Sequence, residues 1–214
     1  MMLSISAAAA LAFQCAPTVA PETLLSVAHA ESELDTLAIG VNRGPAAPRA
    51  TSEAEAARIA RALIAKGYSV DLGIAQINSR NLGWLGLSVE DAFDACENFA
   101  AAARVLGDAF AATSRAGGAD PLGRALSRYN SGNDRRGFAN GYVGRVYRAA
   151  RRIVPALDAP AAEPLSYVTP PASLSPPPLA DLPAPAREAE PLAASWDVFA
   201  RSSHSPLIVF GGSQ

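Results

Sequence analysis

The chain has 214 residues, half of them apolar and 18% charged, which is enough for one well-cored domain with a tail. A net charge of −2 excludes a generally nucleic-acid-coating protein, and no Cys-x-x-Cys pair or Cys/His cluster offers a metal site. No apolar run approaches the roughly 20 residues of a membrane span.

In chain order, the first fourteen residues are apolar and alanine-rich but carry no Lys or Arg, whereas a secretory signal places positive charge before its apolar stretch. They read as the first helix of the domain in preference to a signal peptide. Pro21 suits the first position of a helix, and Leu24, Val27, Ala28 and Glu31 then share one face. Ser52 with Glu55 forms a capping box ahead of the stripe Ala56, Ile59, Ala60 and Leu63, and Gly67 supplies a stop. Residues 67–81 have no helical period. There Val70, Leu72 and Ile74 alternate with small or polar residues, as in a short strand or hairpin. Ser88 and Asp91 predict the start of a helix with Val89, Ala92, Cys96, Phe99, Ala103 and Leu106 on its buried face, ending at Gly107. Pro121 opens another helix, with Leu122, Ala125, Leu126 and Tyr129 in register, and a last one runs from about Tyr142 to Ile153.

The composition breaks there, because 11 of the 17 prolines lie between Pro155 and Pro191. This predicts a domain over 1–154, a disordered, polyproline-like linker over 155–194, and a C-terminal segment over 195–214. That last segment, with Trp196, Phe199 and Phe210, is too short for a fold and reads as a docking peptide. The domain itself is expected to be mainly α, with a small β or irregular insertion.

Several residues stand out chemically. Glu31 shares its face with Leu24, Val27 and Ala28; a carboxyl on an apolar face is desolvated and keeps its proton to higher pH, as a general acid requires. In Gly73-Ile74-Ala75-Gln76-Ile77-Asn78, the glycine permits close backbone approach. The amides of Gln76 and Asn78 both donate and accept, as sugar recognition demands. Tyr129 lies on a buried stripe and its hydroxyl needs a partner, while Asn130-Ser131-Gly132-Asn133 ends the helix. Cys15 and Cys96 are either two buried thiols or one disulfide, the latter requiring an oxidising compartment. From Arg124 to Arg152 there are eight arginines and one acid, Asp134. That bias reflects either a GC-rich genome or a local cationic surface facing an anionic polymer.

Four segments occur in an order and spacing that resemble the soluble lytic transglycosylase catalytic domain, a relative of goose-type lysozyme: Glu31-Ser32, Gly73 to Asn78, Tyr129 to Asn133, and Tyr142-Val143. Cys15-Ala16-Pro17, residues 38–42, Cys96-Glu97-Asn98 and Asn140-Gly141-Tyr142-Val143 narrow the resemblance to the transglycosylase subunit of type IV secretion systems, over about residues 10–153. The tail from Trp196 to Phe210 is similar to the end of some members. The resemblance implies an α+β lysozyme-like fold, with Glu31 as catalytic residue and Ser32, Gln76, Asn78, Tyr129, Asn130 and Tyr142 around the substrate. It implies cleavage of the β-1,4 bond between N-acetylmuramic acid and N-acetylglucosamine, with a 1,6-anhydro product and no cofactor. It further implies a periplasmic location, glycan strands as substrate, and secretion-system proteins as partners of the tail; nothing points to nucleic acid. The chain departs from many members in having Glu33 and Leu34 where glycine follows Glu-Ser. A hydrolytic lysozyme stays open as an alternative; it needs a second carboxylate, for which Asp71 is the nearest candidate. So does a non-catalytic glycan-binding assembly factor.

Overall fold

The computed structural model describes residues 1–158, so the expected linker beyond Asp158 and the docking segment 195–214 lie outside the described residues. Helix α1 (Ile5–Cys15) is capped by the Ser4 hydroxyl, which accepts the Ala7 amide, and leads into α2 (Pro21–Ser32). Leu24, Leu25, Val27 and Ala28 of α2 are buried, because α2 is covered by α1 on one side and by the last helix on another.

Strand β1 (Ile39–Asn42) follows, then α3 (Glu53–Ala65). The Ser52 hydroxyl accepts the Glu55 amide as the sequence predicts, but the Glu55 carboxylate reaches back to the amide and hydroxyl of Thr51. The expected β insertion is present as β2 (Ser69–Leu72) and the two-residue β3 (Ile77–Asn78). These join β1 in an antiparallel sheet of order β1-β2-β3, with Ile39 opposite Leu72 and Leu72 opposite Ile77. Ile74 lies in the β2–β3 turn and not in a strand. One turn of helix, α4 (Leu82–Leu85), leads on to the main helical layer.

The helix expected from Ser88 to Gly107 is shifted. Ser88 and Asp91 do exchange capping hydrogen bonds, but they close only one 3-10 turn, Asp91–Phe93. The backbone then extends at Asp94, whose carboxylate accepts the Cys96 and Glu97 amides and starts α5 (Ala95–Arg115). Gly107 lies within α5 with nothing near its missing side chain; its conformational penalty of about 1 kcal/mol is overridden by the packing of Phe99, Ala103 and Leu106. Helix α6 (Pro121–Ser131) begins at proline as expected, followed by the short α7 (Arg136–Ala139) and α8 (Tyr142–Asp158). Helix α8 continues through Pro155, past the expected boundary at 154. Proline's fixed φ is helical, and so near a helix end it removes one amide donor without unravelling the turns before it.

Candidate active site

Glu31 is in the last turn of α2, one residue before the helix ends at Ser32. The ending is sharp: Glu33 and Leu34 both take left-handed backbone, with φ of 57° and 67°. Glycine adopts this region freely and other residues at about 1 kcal/mol or more each, so Glu33 and Leu34 in place of glycine carry a conformational cost. The turn directs the chain away and leaves the Glu31 side chain facing α8.

There it meets Tyr142, which is 0% exposed and whose hydroxyl donates to Glu31 Oε1 at 2.7 Å. Tyr142 is fixed at the start of α8 by Asn140, whose side-chain oxygen accepts the Tyr142 amide. The pKa of Glu31 is raised from 4.5 to about 7, with burial as the largest cause. The Tyr142 hydrogen bond and the Arg145 charge oppose the rise, while the negative charge of Asp71 adds to it. The same burial, with Glu31 nearby, holds the hydroxyls of Tyr129 and Tyr142 well above their ordinary range, so both remain donors.

Three of the other expected site residues, Ser32, Gln76 and Tyr129, converge on one piece of backbone, the turn from Leu72 to Gln76. The Ser32 hydroxyl donates to the Ile74 carbonyl at 2.6 Å, and the Tyr129 hydroxyl to the Ala75 carbonyl at 2.8 Å. Gln76 takes left-handed backbone (φ 52°), and its amide nitrogen donates to the carbonyls of Gly73 and Ala38. The side-chain oxygen of Gln76 lies over Gly40, where a Cβ would approach it to 2.7 Å. Gly73 is required twice over: φ is 73°, and a Cβ there would meet the Ala92 carbonyl at 2.3 Å. Ser32, Gln76 and Tyr129 therefore brace the sheet end that faces Glu31.

Asn78 and Asn130 lie apart from that turn. The Asn78 amide donates to Asp71 Oδ1 at 2.6 Å and to Ser69, and its oxygen accepts the Arg80 amide. Asn130 is exposed and accepts from Asn140, which links the end of α6 to the start of α8. Cys15 and Cys96 are joined in a disulfide with Cα atoms 5.3 Å apart, which resolves that alternative.

Two residues of the site were not singled out from the sequence. Asn98, 0% exposed, accepts the Ala75 amide and donates to the carbonyls of Leu72 and Ala92. Its only trace in the sequence is the Cys96-Glu97-Asn98 step. Arg145 lies one turn after Tyr142 with its guanidinium 5.4 Å from that ring's centre. Asp71, the candidate second carboxylate, acts on Glu31 as a like charge, and both of its oxygens accept amide hydrogens, from Asn42 and Asn78.

A mainly helical domain with a small sheet, and a desolvated glutamate at a helix end between them, defines a lysozyme-like arrangement. The family model for the transglycosylase SLT domain matches residues 9–150, and the chain belongs to that family. It is 40% identical over 147 residues to protein virB1 of Agrobacterium fabrum (strain C58 / ATCC 33970), covering 68% of this chain and 60% of that one. It is 38% identical over 148 residues to type IV secretion system protein virB1 of Brucella abortus biovar 1 (strain 9-941), covering 65% of this chain and 62% of that one. The chain thus matches less than two thirds of the length of these relatives. No solved structure matches it.

Proposed function

We propose that the chain is a peptidoglycan lytic transglycosylase that opens the cell wall locally for type IV secretion. The observation that carries this is Glu31: withdrawn from water, held by Tyr142, and with a pKa raised to about 7. Near neutral pH it is about half protonated, so one carboxyl can serve as acid and then as base.

Glu31 gives its proton to the glycosidic oxygen as the bond from muramyl carbon 1 breaks, and N-acetylglucosamine leaves with a free 4-hydroxyl. The muramyl 6-hydroxyl oxygen then bonds to carbon 1, and its proton passes to the Glu31 carboxylate. The product is a 1,6-anhydro end, and Glu31 is protonated again. The nucleophile is already on the sugar, so no second carboxylate is required to activate water.

A periplasmic location is supported by the Cys15–Cys96 disulfide, which persists in oxidising compartments, and by the type IV secretion name of the Brucella relative. Residues 195–214 are proposed to dock on secretion-system proteins, with the proline-rich stretch before them as spacer.

Mass spectrometry of digested peptidoglycan tests the reaction. Anhydromuramyl ends are expected; reducing ends in their place would establish hydrolysis, and intact strands a non-catalytic binder. Glu31→Gln abolishes turnover while the fold gains stability. The sign follows from linkage: the folded pKa lies above 4.5, so the native state holds the proton more tightly than the unfolded chain. Stability therefore falls as pH rises from about 4.5 through about 7, by up to about 3 kcal/mol. Glutamine does not ionise, and so the variant unfolds at higher urea than the parent at pH 8 but not at pH 4.

A further inference from the structure

Three arginines on one face of α8 open onto a pocket of about 400 Å³ that reaches Glu31. Arg145, Arg148 and Arg152 stand at i, i+3 and i+7, so the helix aligns them in a row. The opposite wall is the end of α2, with His29, Glu31 and Glu33. The three arginines are exposed, and none of them enters the ion pairs found among the described residues. Other arginines of the same stretch are committed to the fold: Arg128 pairs with Asp134, and Arg124 donates to the carbonyls of Thr113 and Gly117. Against three cations the pocket sets Glu33 and a Glu31 that is only partly ionised, so it is net positive beside the proposed reaction centre.

Guanidinium groups present forked donors that match carboxylates, and a row of them favours a ligand with more than one. In a peptidoglycan strand the muramyl sugar, whose carbon 1 would react at Glu31, also carries a peptide with free carboxylates. We infer that this pocket is a subsite for the carboxylates of the peptide stem, so that the protein distinguishes peptide-bearing strands from bare glycan. The inference rests on the transglycosylase reading, since that reading places the muramyl sugar at Glu31.

The test compares the full-length parent with the Arg148→Ala/Arg152→Ala double variant on two substrates: strands bearing stem peptides, and strands stripped of them by an amidase. The parent is expected to favour peptide-bearing strands by about tenfold in kcat/KM, the order expected of two exposed charge pairs, and the variant to lose that preference. Parent and variant with the same preference, or a parent with none, overturns the subsite. Binding is read separately by NMR titration of the Glu31→Gln chain with N-acetylmuramoyl dipeptide and with its amide. Shifts at the Arg148 and Arg152 guanidiniums that need the free carboxylate, and that weaken with salt, support the subsite. Equal shifts with the amide, or with a DNA oligonucleotide, overturn it. Failure to form anhydro ends from either strand would remove the transglycosylase reading, while carboxylate-dependent binding would still uphold the pocket. Equal cleavage of both strands would remove the pocket alone.

Discussion

Glu31 owes its ionisation to neighbours of opposite sign, and they can be removed one at a time. Burial raises the pKa most, Tyr142 and Arg145 pull it down, Asp71 pushes it up, and the balance stands at about 7. If Glu31 must carry a proton to begin the reaction, kcat/KM falls as pH rises through about 7. Tyr142→Phe removes a hydrogen bond that favours the carboxylate; the alkaline limb then moves to higher pH even as the rate drops. Asp71→Asn removes a like charge, and the limb moves to lower pH. Rates on a soluble glycan across roughly pH 5 to 9 report both shifts. Two substitutions that move the limb in the same direction would show that something other than the Glu31 proton governs it. Asp71→Asn also separates the two chemistries: a hydrolase that used Asp71 as its second carboxylate would lose turnover, whereas a transglycosylase keeps it with a displaced pH profile.

At the scale of elements, those defined by their own residues were legible in the sequence. Helices α2 and α6 each open on proline and α3 on a serine cap, and their apolar stripes are buried as the periodicity predicts. Elements defined by tertiary partners were not. Strand β1 is four residues long with glycine in it, too short for a pattern of its own, and it exists because β2 pairs with it. The start of α5 was misplaced because the Ser88/Asp91 box and the Asp94 cap are both valid start signals, and only the second is followed by continuous helix. The candidate site shows the same division. Glu31 stands out locally, as a carboxyl on an apolar face. Ser32, Gln76 and Tyr129 stood out in the sequence as expected site residues, but their hydrogen bonds to the turn did not. Amides and hydroxyls that suit a sugar suit a backbone turn equally well, and only the fold shows that these hold the turn from Leu72 to Gln76. Asn98 was illegible for a related reason: one polar residue beside a buried stripe carries no period, and its value lies in Ala92 close by and in Leu72 and Ala75, more than twenty residues back in the chain.

Across the whole molecule, the disulfide ties the site to the stability of the domain. Cys15 is the last residue of α1 and Cys96 the second of α5, and the bond between them closes a loop with a sequence separation of 81. In the chain-entropy model a loop of that size restricts the unfolded state by about 4 kcal/mol. A domain of this kind has a total stability of about 5–15 kcal/mol, so reduction, or Cys15→Ser with Cys96→Ser, leaves it marginal. The expected result is a urea midpoint much lower in reductant than without it, with a steeper transition, because the unfolded chain without the bond is less compact and exposes more surface. The effect should also reach the site, because Asn98 lies two residues beyond Cys96 and holds the turn that Ser32 and Tyr129 hold from the other side. Under conditions where the reduced protein is still folded, amide exchange at Ala75, whose N–H rests on Asn98, should quicken more than exchange in the middle of α8, which has no such link to α5. A uniform increase across both would mean that the bond acts on the unfolded chain alone. A midpoint that does not move would mean that the packing of α1 and α5 against α2 holds the domain without it.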